Sequence, residues 1–319
     1  MPWYLIVILI ILGVVILSVL FWHLLARYFF NKTILRKENQ ITIEEADKMM
    51  GTHWGQFTEL MSERKKWFDA QSFETVSIQS DDGLKLVGHY LESDPNSKKI
   101  VIAFHGYSSK GMSDHCATAN LYYRLGINTL IVDERAHGDS EGKYVGFGVL
   151  DRYDALKWIE YVINRFGSDC TIILHGISMG GATVLLTSGL NPPKNVKAII
   201  ADCAFTSAYD VFSHVLKNWY HIPSEPILRI TEKMGRKEAG YGYKDCSTLD
   251  AVAKTDIPIL FIHGGKDTFV PTWMSRENYK ACASPKELVI VENAAHGESF
   301  FMDNAKCEKA ISDFIGKYC

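Results

Sequence analysis

The sequence has no excess of basic residues. Lys and Arg together number 34 against 37 Asp and Glu, which gives 319 residues a formal net charge of -3. Proteins that bind nucleic acid gain much of their affinity from basic side chains that neutralise phosphates. Nucleic acid is therefore not an expected partner. Repeats and low-complexity tracts are also missing, and 47% hydrophobic with 22% charged residues is typical of a folded globular chain.

The cysteines form neither a zinc motif nor a disulfide framework. There are seven, widely spaced, and no C-x-x-C pair occurs, so we expect most of them to be buried free thiols. No group of His, Cys and carboxylates has the spacing of a metal site, and no metal is expected. The sequence also lacks G-x-x-x-x-G-K-[ST] and a G-x-G-x-x-G after a strand, so no nucleotide cofactor is expected.

Charged side chains are missing from residues 1–26, where the apolar run WYLIVILIILGVVILSVLFW occurs. At about 1.5 Å per residue, roughly twenty such residues span the ~30 Å hydrocarbon core of a bilayer as a helix. A cleaved signal peptide is the alternative, but no basic residue precedes the run and no A-x-A-like site follows it. We predict a single-pass, uncleaved membrane anchor over residues 1–26.

A polar juxtamembrane segment, residues 27–72, follows the anchor. Thr42-x-x-Glu45 predicts a capping box, and apolar residues from Trp54 to Trp67 at helical spacing predict a helix. That helix could pack on the main domain or lie on the membrane surface. Before the first acidic residue, Glu38, the flank is basic, and it carries Arg27, Lys32, Arg36 and Lys37. The positive-inside rule then predicts that the C-terminal domain faces the cytoplasm.

From residue 73 onward, strands alternate with helix-length segments. FETVSIQS and LKLVGHYLE flank Asp82-Gly83 and predict an antiparallel hairpin. Six apolar runs follow, namely KIVIAFHG, INTLIVDE, CTIILHGIS, VKAIIADCAF, IPILFIHGG and ELVIVEN. Continuous apolar strands separated by helices indicate an α/β domain, residues 73–319, with a mixed, mostly parallel sheet of about eight strands. The aromatic-rich interval 206–254 is too long for a simple crossover and predicts a helical cap insertion.

The motif Gly176-Ile177-Ser178-Met179-Gly180 directly follows the run TIILH. A serine in such a strand-to-helix turn has an exposed hydroxyl, and small flanking residues let the backbone pass. Ser178 is therefore the candidate nucleophile. Backbone N–H groups of Met179 and of Tyr107, which follows the first parallel strand, are the candidate oxyanion hole.

The acid and base of a triad are expected after later strands. Asp267 follows IPILFIHGG and His296 follows ELVIVENAA, so both lie at the strand ends where catalytic groups of such sheets are found. Asp202, at the end of VKAIIAD, is an alternative acid. His105 and His137 are expected to be structural. We also expect the charges of the run DERAHGDSEG, residues 133–142, to pair with one another.

These motifs, in the order H-G-Y, D-E-R-A-H-G-D-S-E-G, G-I-S-M-G, H-G-G-K-D and A-A-H-G, resemble a known family. The sequence from about 73 to 318 is similar to bacterial α/β-hydrolases of the serine aminopeptidase, BAAT-like and prolyl-oligopeptidase-like groups, and to cinnamoyl and feruloyl esterases. The resemblance implies the same triad and oxyanion hole. The propeller repeats of prolyl oligopeptidases are missing, and Ala136 stands where many relatives have glycine.

The sequence thus predicts a membrane-anchored serine hydrolase that cleaves a carboxylic ester through an acyl-enzyme. Aromatic residues of the cap favour a small-molecule substrate with an apolar or aryl group. An amidase or aminopeptidase-like enzyme for short peptides is one alternative. A non-catalytic binding protein with the same fold is another.

Overall fold

The computed structural model describes residues 1–37 and 42–319, so that Glu38 lies outside the described residues. A single sheet of eight strands forms the centre, with strands β1 (Glu74–Gln79), β2 (Lys85–Leu91), β3 (Lys99–Phe104), β4 (Asn128–Val132), β5 (Thr171–Ile177), β6 (Val196–Asp202), β7 (Ile259–Gly264) and β8 (Lys286–Val291). Their spatial order is β1-β2-β4-β3-β5-β6-β7-β8. Strand β2 is antiparallel to β1 and β4, and the other neighbours are parallel. The predicted mixed, mostly parallel sheet is confirmed.

Both faces of the sheet are covered by helices, as continuous apolar strands require. Along β3, Ile100 and Ile102 belong to one buried cluster, while Val101 and Ala103 belong to the cluster on the opposite face. This alternation follows from the two-residue period of a strand. The central strands are therefore packed on both faces, and this packing fixes the positions of their carboxyl ends relative to one another.

The described helices are α1 (Trp3–Ile34), α2 (Ile43–Met50), α3 (Thr58–Asp69), α4 (Gly111–Asp114), α5 (Thr118–Arg124), α6 (Asp151–Phe166), α7 (Met179–Ser188), α8 (Ala208–Asn218), α9 (Ile227–Met234), α10 (Thr248–Val252), α11 (Trp273–Ala281), α12 (Ser299–Met302) and α13 (Asn304–Tyr318). A short 3₁₀ helix covers Trp54–Phe57 and a π-helical turn covers Gly235–Ala239. Helices α8, α9 and α10 lie in the 206–254 interval, and we call α8 and α9 the cap helices. The division into anchor, juxtamembrane segment and domain with a cap stays a prediction.

Helix α1 continues without interruption beyond residue 26 to Ile34. Its last turns are docked on the domain, because Ala26, Phe30 and Ile34 are buried in one cluster with cap residues such as Leu228. Two backbone hydrogen bonds fix its end, from Val145 N to Ile34 O at 2.8 Å and from Arg36 N to Lys143 O at 2.9 Å.

The segment before the sheet also packs on the domain. The predicted capping box is confirmed, with Glu45 N donating to Thr42 Oγ1 at 3.2 Å and Thr42 N donating to Glu45 Oε2 at 2.8 Å. The ring of Trp54 lies 5.2 Å from that of Phe301, and Trp67 lies 5.4 Å from Tyr123. These contacts agree with the first of the two interpretations of the segment, packing on the main domain.

Candidate active site

Ser178 occupies the turn between β5 and α7 with φ 54° and ψ −109°. A non-glycine residue in this left-handed region stores about 1–3 kcal/mol of strain. A Cβ atom on Gly176 would lie 2.0 Å from Gly180 O, and one on Gly180 would lie 2.3 Å from Phe104 O. Only glycine fits at either position, because backbone atoms approach so closely there. The G-x-S-x-G signature is thus a steric consequence of the turn.

Ser178, His296 and Asp267 form a hydrogen-bonded series, with His296 in the middle. The Nε2 atom of His296 is 2.8 Å from Ser178 Oγ, and its Nδ1 atom is 2.7 Å from Asp267 Oδ2. The Nδ1–H group donates a hydrogen bond to the carboxylate, which leaves Nε2 without a proton and able to accept that of the serine. The structure therefore brings together the three side chains that the sequence predicted, from loops that follow β5, β7 and β8.

Asp267 has a second histidine partner that the sequence analysis missed. His263 Nε2 lies 3.1 Å from Asp267 Oδ2, and its Nδ1 lies 2.6 Å from Ser275 Oγ. The other carboxylate oxygen accepts backbone N–H bonds from Phe269 and Val270. His263 thus acts as a positioning residue. The available signal was its place in the H-G-G-K-D run, four residues before Asp267.

Charges inside the site shift two pKa values in opposite directions. Burial alone would raise the pKa of Asp267, but the His296 charge and hydrogen bonds from His263 and His296 hold it well below its usual range. Burial alone would lower the pKa of His296, yet the Asp267 charge and hydrogen bond raise it above the ordinary histidine value. The carboxylate is therefore ionised at neutral pH and stabilises an imidazolium next to Ser178.

Asp202, the alternative acid, is not hydrogen-bonded to the imidazole of His296, whose partners are Asp267 and Ser178. Its Oδ1 atom has no hydrogen-bond partner among the described residues, and burial raises the pKa of the group to about 6. Its backbone carbonyl instead accepts a hydrogen bond from Ser178 N at 2.8 Å. The geometry favours Asp267 as the partner of His296.

The two predicted oxyanion donors lie on segments that are tied together. Gly180 N donates to His105 O at 2.9 Å, which joins the start of α7 to the loop after β3. Within residues 1–37 and 42–319, the backbone N–H groups of Tyr107 and Met179 have no protein acceptor. Both N–H groups are therefore available to a ligand beside Ser178.

His105 and His137 have structural partners, as expected. His105 Nε2 accepts from Glu134 N at 3.0 Å, and His137 Nε2 accepts from Ser108 N at 3.2 Å. Burial lowers the pKa of His137 to about 3, so the ring is neutral and can accept this bond.

The expected pairing of charges within residues 133–142 is wrong. Arg135 pairs with Asp154 at 2.6 Å and with Asp82 at 2.9 Å, which lie on α6 and in the first hairpin. Asp133 instead accepts backbone N–H bonds from Gly111 and Asp139. The partners of Arg135 thus lie outside the run, while Asp133 is satisfied by backbone N–H groups, one of them within the run.

Two cavities meet at Ser178. One, of about 260 Å³, is bordered by Trp54, His296 and Phe301, and we call it the juxtamembrane cavity. The other, of about 530 Å³, lies under the cap helices, and we call it the cap cavity. Tyr107, Ser178 and Phe269 line both. A substrate whose scissile bond lies at Ser178 can therefore extend in two directions.

The chain is similar to a serine aminopeptidase family, to a protein of Bacillus subtilis and to esterases of known structure. The model of a family described as serine aminopeptidase, S33 matches residues 95–239. The uncharacterized protein YqkD of Bacillus subtilis is 29% identical over 250 residues, covering 77% of this chain and 81% of its own length. Among solved structures, the Pyrococcus furiosus esterase Pf2001 aligns with a TM-score of 0.65 at 21% identity, covering 79% of this chain and 93% of that one. Est1E from Butyrivibrio proteoclasticus, solved with ferulic acid, aligns with a TM-score of 0.58 at 20% identity, covering 76% of this chain and 98% of its own.

The chain has the α/β-hydrolase fold.

One cluster next to Ser178 could be mistaken for a metal site. Ligand atoms of Cys203, Asp267 and His296 lie within 4.8 Å of one another. Asp267 and His296 are already hydrogen-bonded to each other, and His296 is also hydrogen-bonded to Ser178. A metal bound there would have to displace the hydrogen bonds that connect Asp267, His296 and Ser178, so the donor set does not fit a metal ion.

Proposed function

We propose that the protein is a membrane-anchored serine hydrolase that cleaves a carboxylic ester through an acyl-enzyme. The observation that carries the proposal is the hydrogen-bonded series Asp267–His296–Ser178, at 2.7 Å and 2.8 Å, where two cavities meet. Ser178 Oγ attacks the ester carbonyl while His296 Nε2 takes its proton. His296 then protonates the alcohol that leaves. Water, deprotonated by the same imidazole, hydrolyses the acyl-enzyme and restores Ser178.

The negative charge of the tetrahedral intermediate is stabilised by the backbone N–H groups of Tyr107 and Met179. Each donor of this kind contributes about 3 kcal/mol to the stability of the transition state. Both donors belong to backbone segments fixed by the sheet, so little reorganisation is needed during the reaction.

The membrane anchor of the proposal is α1. Its side chains from Trp3 to Leu24 are nearly all exposed, although the segment is strongly apolar, with a mean hydropathy of 3.3 in its most apolar window. These 22 residues are about 33 Å long at 1.5 Å per residue, close to the ~30 Å hydrocarbon core. Such a surface is stable in lipid and would be costly to expose to water.

An amide substrate is the second candidate, because the matching family model is described as serine aminopeptidase, S33. The esterases among the structural neighbours favour the ester. We would assay the full-length protein in detergent with a panel of p-nitrophenyl esters and aminoacyl p-nitroanilides. Turnover of esters without turnover of anilides is the expected result. Faster turnover of the anilides would instead make the chain an amidase.

The nucleophile is tested by Ser178→Ala. We expect this variant to lose labelling by a fluorophosphonate probe and to lower kcat by roughly 10⁶, as in other triads. Ser168→Ala, on an exposed turn, is the matched control and keeps both activities. A wild-type protein that neither labels nor hydrolyses any ester or anilide would support the binding-protein alternative.

A further inference from the structure

The cap cavity contacts both the candidate nucleophile and the end of the anchor helix. Its lining includes Ser178 and Met179 on one side, and Phe29, Lys32 and Thr33 of α1 on the other. Glu45 and Lys48 of α2 also line it. The cap helices supply much of the remaining wall, mostly with apolar side chains, and these include Val211, Phe212, Val215, Leu216, Ile227 and Leu228. A ligand in this cavity would therefore touch the helix that enters the membrane.

The distance from this cavity to the lipid is short. The run of exposed aliphatic side chains of α1 ends at Leu24, and the buried side chains that dock on the domain begin at Ala26, although Tyr28 is again exposed. Phe29 lies five residues after Leu24, which is about 8 Å along a helix. The docked end of α1 thus places the cavity at the level of the lipid headgroups. Tyrosine is enriched at this level, and the ring of Tyr220 lies there, with its centroid 4.9 Å from that of Phe29.

The lining of the cavity is amphipathic. On the side of α1 and the residues after it, Lys32 and Lys37 carry positive charge, and their ammonium groups lie over the rings of Tyr220 and Tyr107 at 5.3 Å and 4.7 Å. Burial, together with the charge of Lys32, lowers the pKa of Lys37. The charge of Glu45, which lines the same cavity, offsets part of this shift, and an anionic ligand would stabilise the ammonium group further. The opposite side, formed by the cap helices, is apolar.

We propose that the ester substrate is an anionic lipid taken from the membrane that holds α1. The acyl chain lies among the apolar side chains of the cap helices, the ester carbonyl lies at Ser178, and the anionic headgroup lies against Lys32 and Lys37. Ser178 Oγ forms a bond to the acyl carbon as the bond to the lipid alcohol breaks, and water then releases the fatty acid. This inference rests on the proposed ester hydrolysis at Ser178.

The experiment uses the full-length protein in phosphatidylcholine vesicles with three substrates. These are palmitoyl lysophosphatidylglycerol, neutral monopalmitoylglycerol and the water-soluble ester p-nitrophenyl butyrate. We expect the wild type to hydrolyse all three and to prefer the anionic lipid over the neutral one. The double variant Lys32→Gln/Lys37→Gln should lose most of that preference, about fivefold for each lysine that contacts an anionic surface. Lys194→Gln, an exposed lysine just before β6 at the opposite end of the sheet, should keep it.

A second variant tests the position of the acyl chain. Val215→Trp adds bulk to the half-buried wall of the cap cavity and should lower the ratio of palmitoyl to butyryl ester kcat/KM about tenfold. Fluorophosphonate labelling of each variant reports whether the site is folded.

Turnover of p-nitrophenyl butyrate with no turnover of either lipid would overturn the lipid substrate and leave the ester hydrolase intact. An unchanged anionic preference in the double variant would overturn the headgroup assignment. A wild-type protein that is not labelled and hydrolyses none of the three substrates would overturn both proposals.

Discussion

Asp267 accepts four hydrogen bonds, from His263, from His296 and from the N–H groups of Phe269 and Val270. We predict that Asp267→Asn lowers kcat by about 10⁴, because an amide no longer holds the imidazole in the productive tautomer. Asp202→Asn is the matched control and should cost far less, since its carboxylate makes no hydrogen bond to His296. Steady-state kinetics on a p-nitrophenyl ester measures both. A larger loss in the Asp202 variant would make Asp202 the acid of the triad.

The raised pKa of His296 has a consequence for the pH profile. Attack by Ser178 needs a neutral imidazole, so activity should rise with pH through the pKa of His296. Because the Asp267 charge raises this pKa, the midpoint should lie above the ordinary histidine value of about 6.5. In Asp267→Asn the charge is lost, and the midpoint should move to lower pH. The rate of fluorophosphonate labelling against pH measures this in both proteins. Equal midpoints would contradict the proposed electrostatic coupling.

Sequence reasoning predicted the position of residues that directly follow a strand, whereas their roles stay predictions. Ser178, Asp267 and His296 each follow a recognisable apolar strand, and strand ends of a parallel sheet meet at one edge. It failed for residues whose partners are distant in sequence. Arg135 pairs with side chains 53 and 19 positions away, and nothing within its own run specifies them.

At the scale of secondary structure, the glycines around Ser178 fix the geometry of the turn between β5 and α7. We predict that Gly180→Ala destabilises the protein by at least 1–3 kcal/mol, because its Cβ would lie 2.3 Å from the backbone oxygen of Phe104. Gly316→Ala is the control: this glycine lies in α13 with nothing within 4 Å, and alanine there should add up to about 1 kcal/mol of stability. Chemical denaturation followed by tryptophan fluorescence measures both changes. Equal stability of the two variants would contradict the steric account.

The eight strands could be predicted because each is a short apolar run bounded by turn residues. The end of α1 could not be predicted from the sequence. The charge-free run stops at residue 26, but the helix continues because Ala26, Phe30 and Ile34 form a stripe that packs on the cap helices. That stripe is recognisable only when its partner is known, and the partner lies some 200 residues further along the chain.

At the scale of the whole molecule, the orientation of the proposed membrane anchor decides which lipids and solutes reach Ser178. The flank after the anchor carries Arg27, Lys32, Arg36 and Lys37, and no charged side chain precedes the anchor. Arg27 is paired with Glu238 at 2.6 Å in the folded domain, so that charge is partly neutralised after folding. Orientation follows the Lys and Arg content of the flank, and acidic residues have little effect on it. The pairing with Glu238 therefore does not change the predicted orientation.

We therefore predict that the hydrolase domain faces the cytoplasm. Two single-cysteine additions test this, Pro2→Cys at the start of the anchor, just before α1, and Lys194→Cys on an exposed turn of the domain. A membrane-impermeant maleimide should label Pro2→Cys in intact cells and should label Lys194→Cys only after lysis. The parent protein gives the background, because five of its seven cysteines are buried and Cys246 and Cys319 are partly exposed. Labelling of Lys194→Cys in intact cells, with Pro2→Cys protected, would place the domain outside and would make the lipid of the outer leaflet the available substrate.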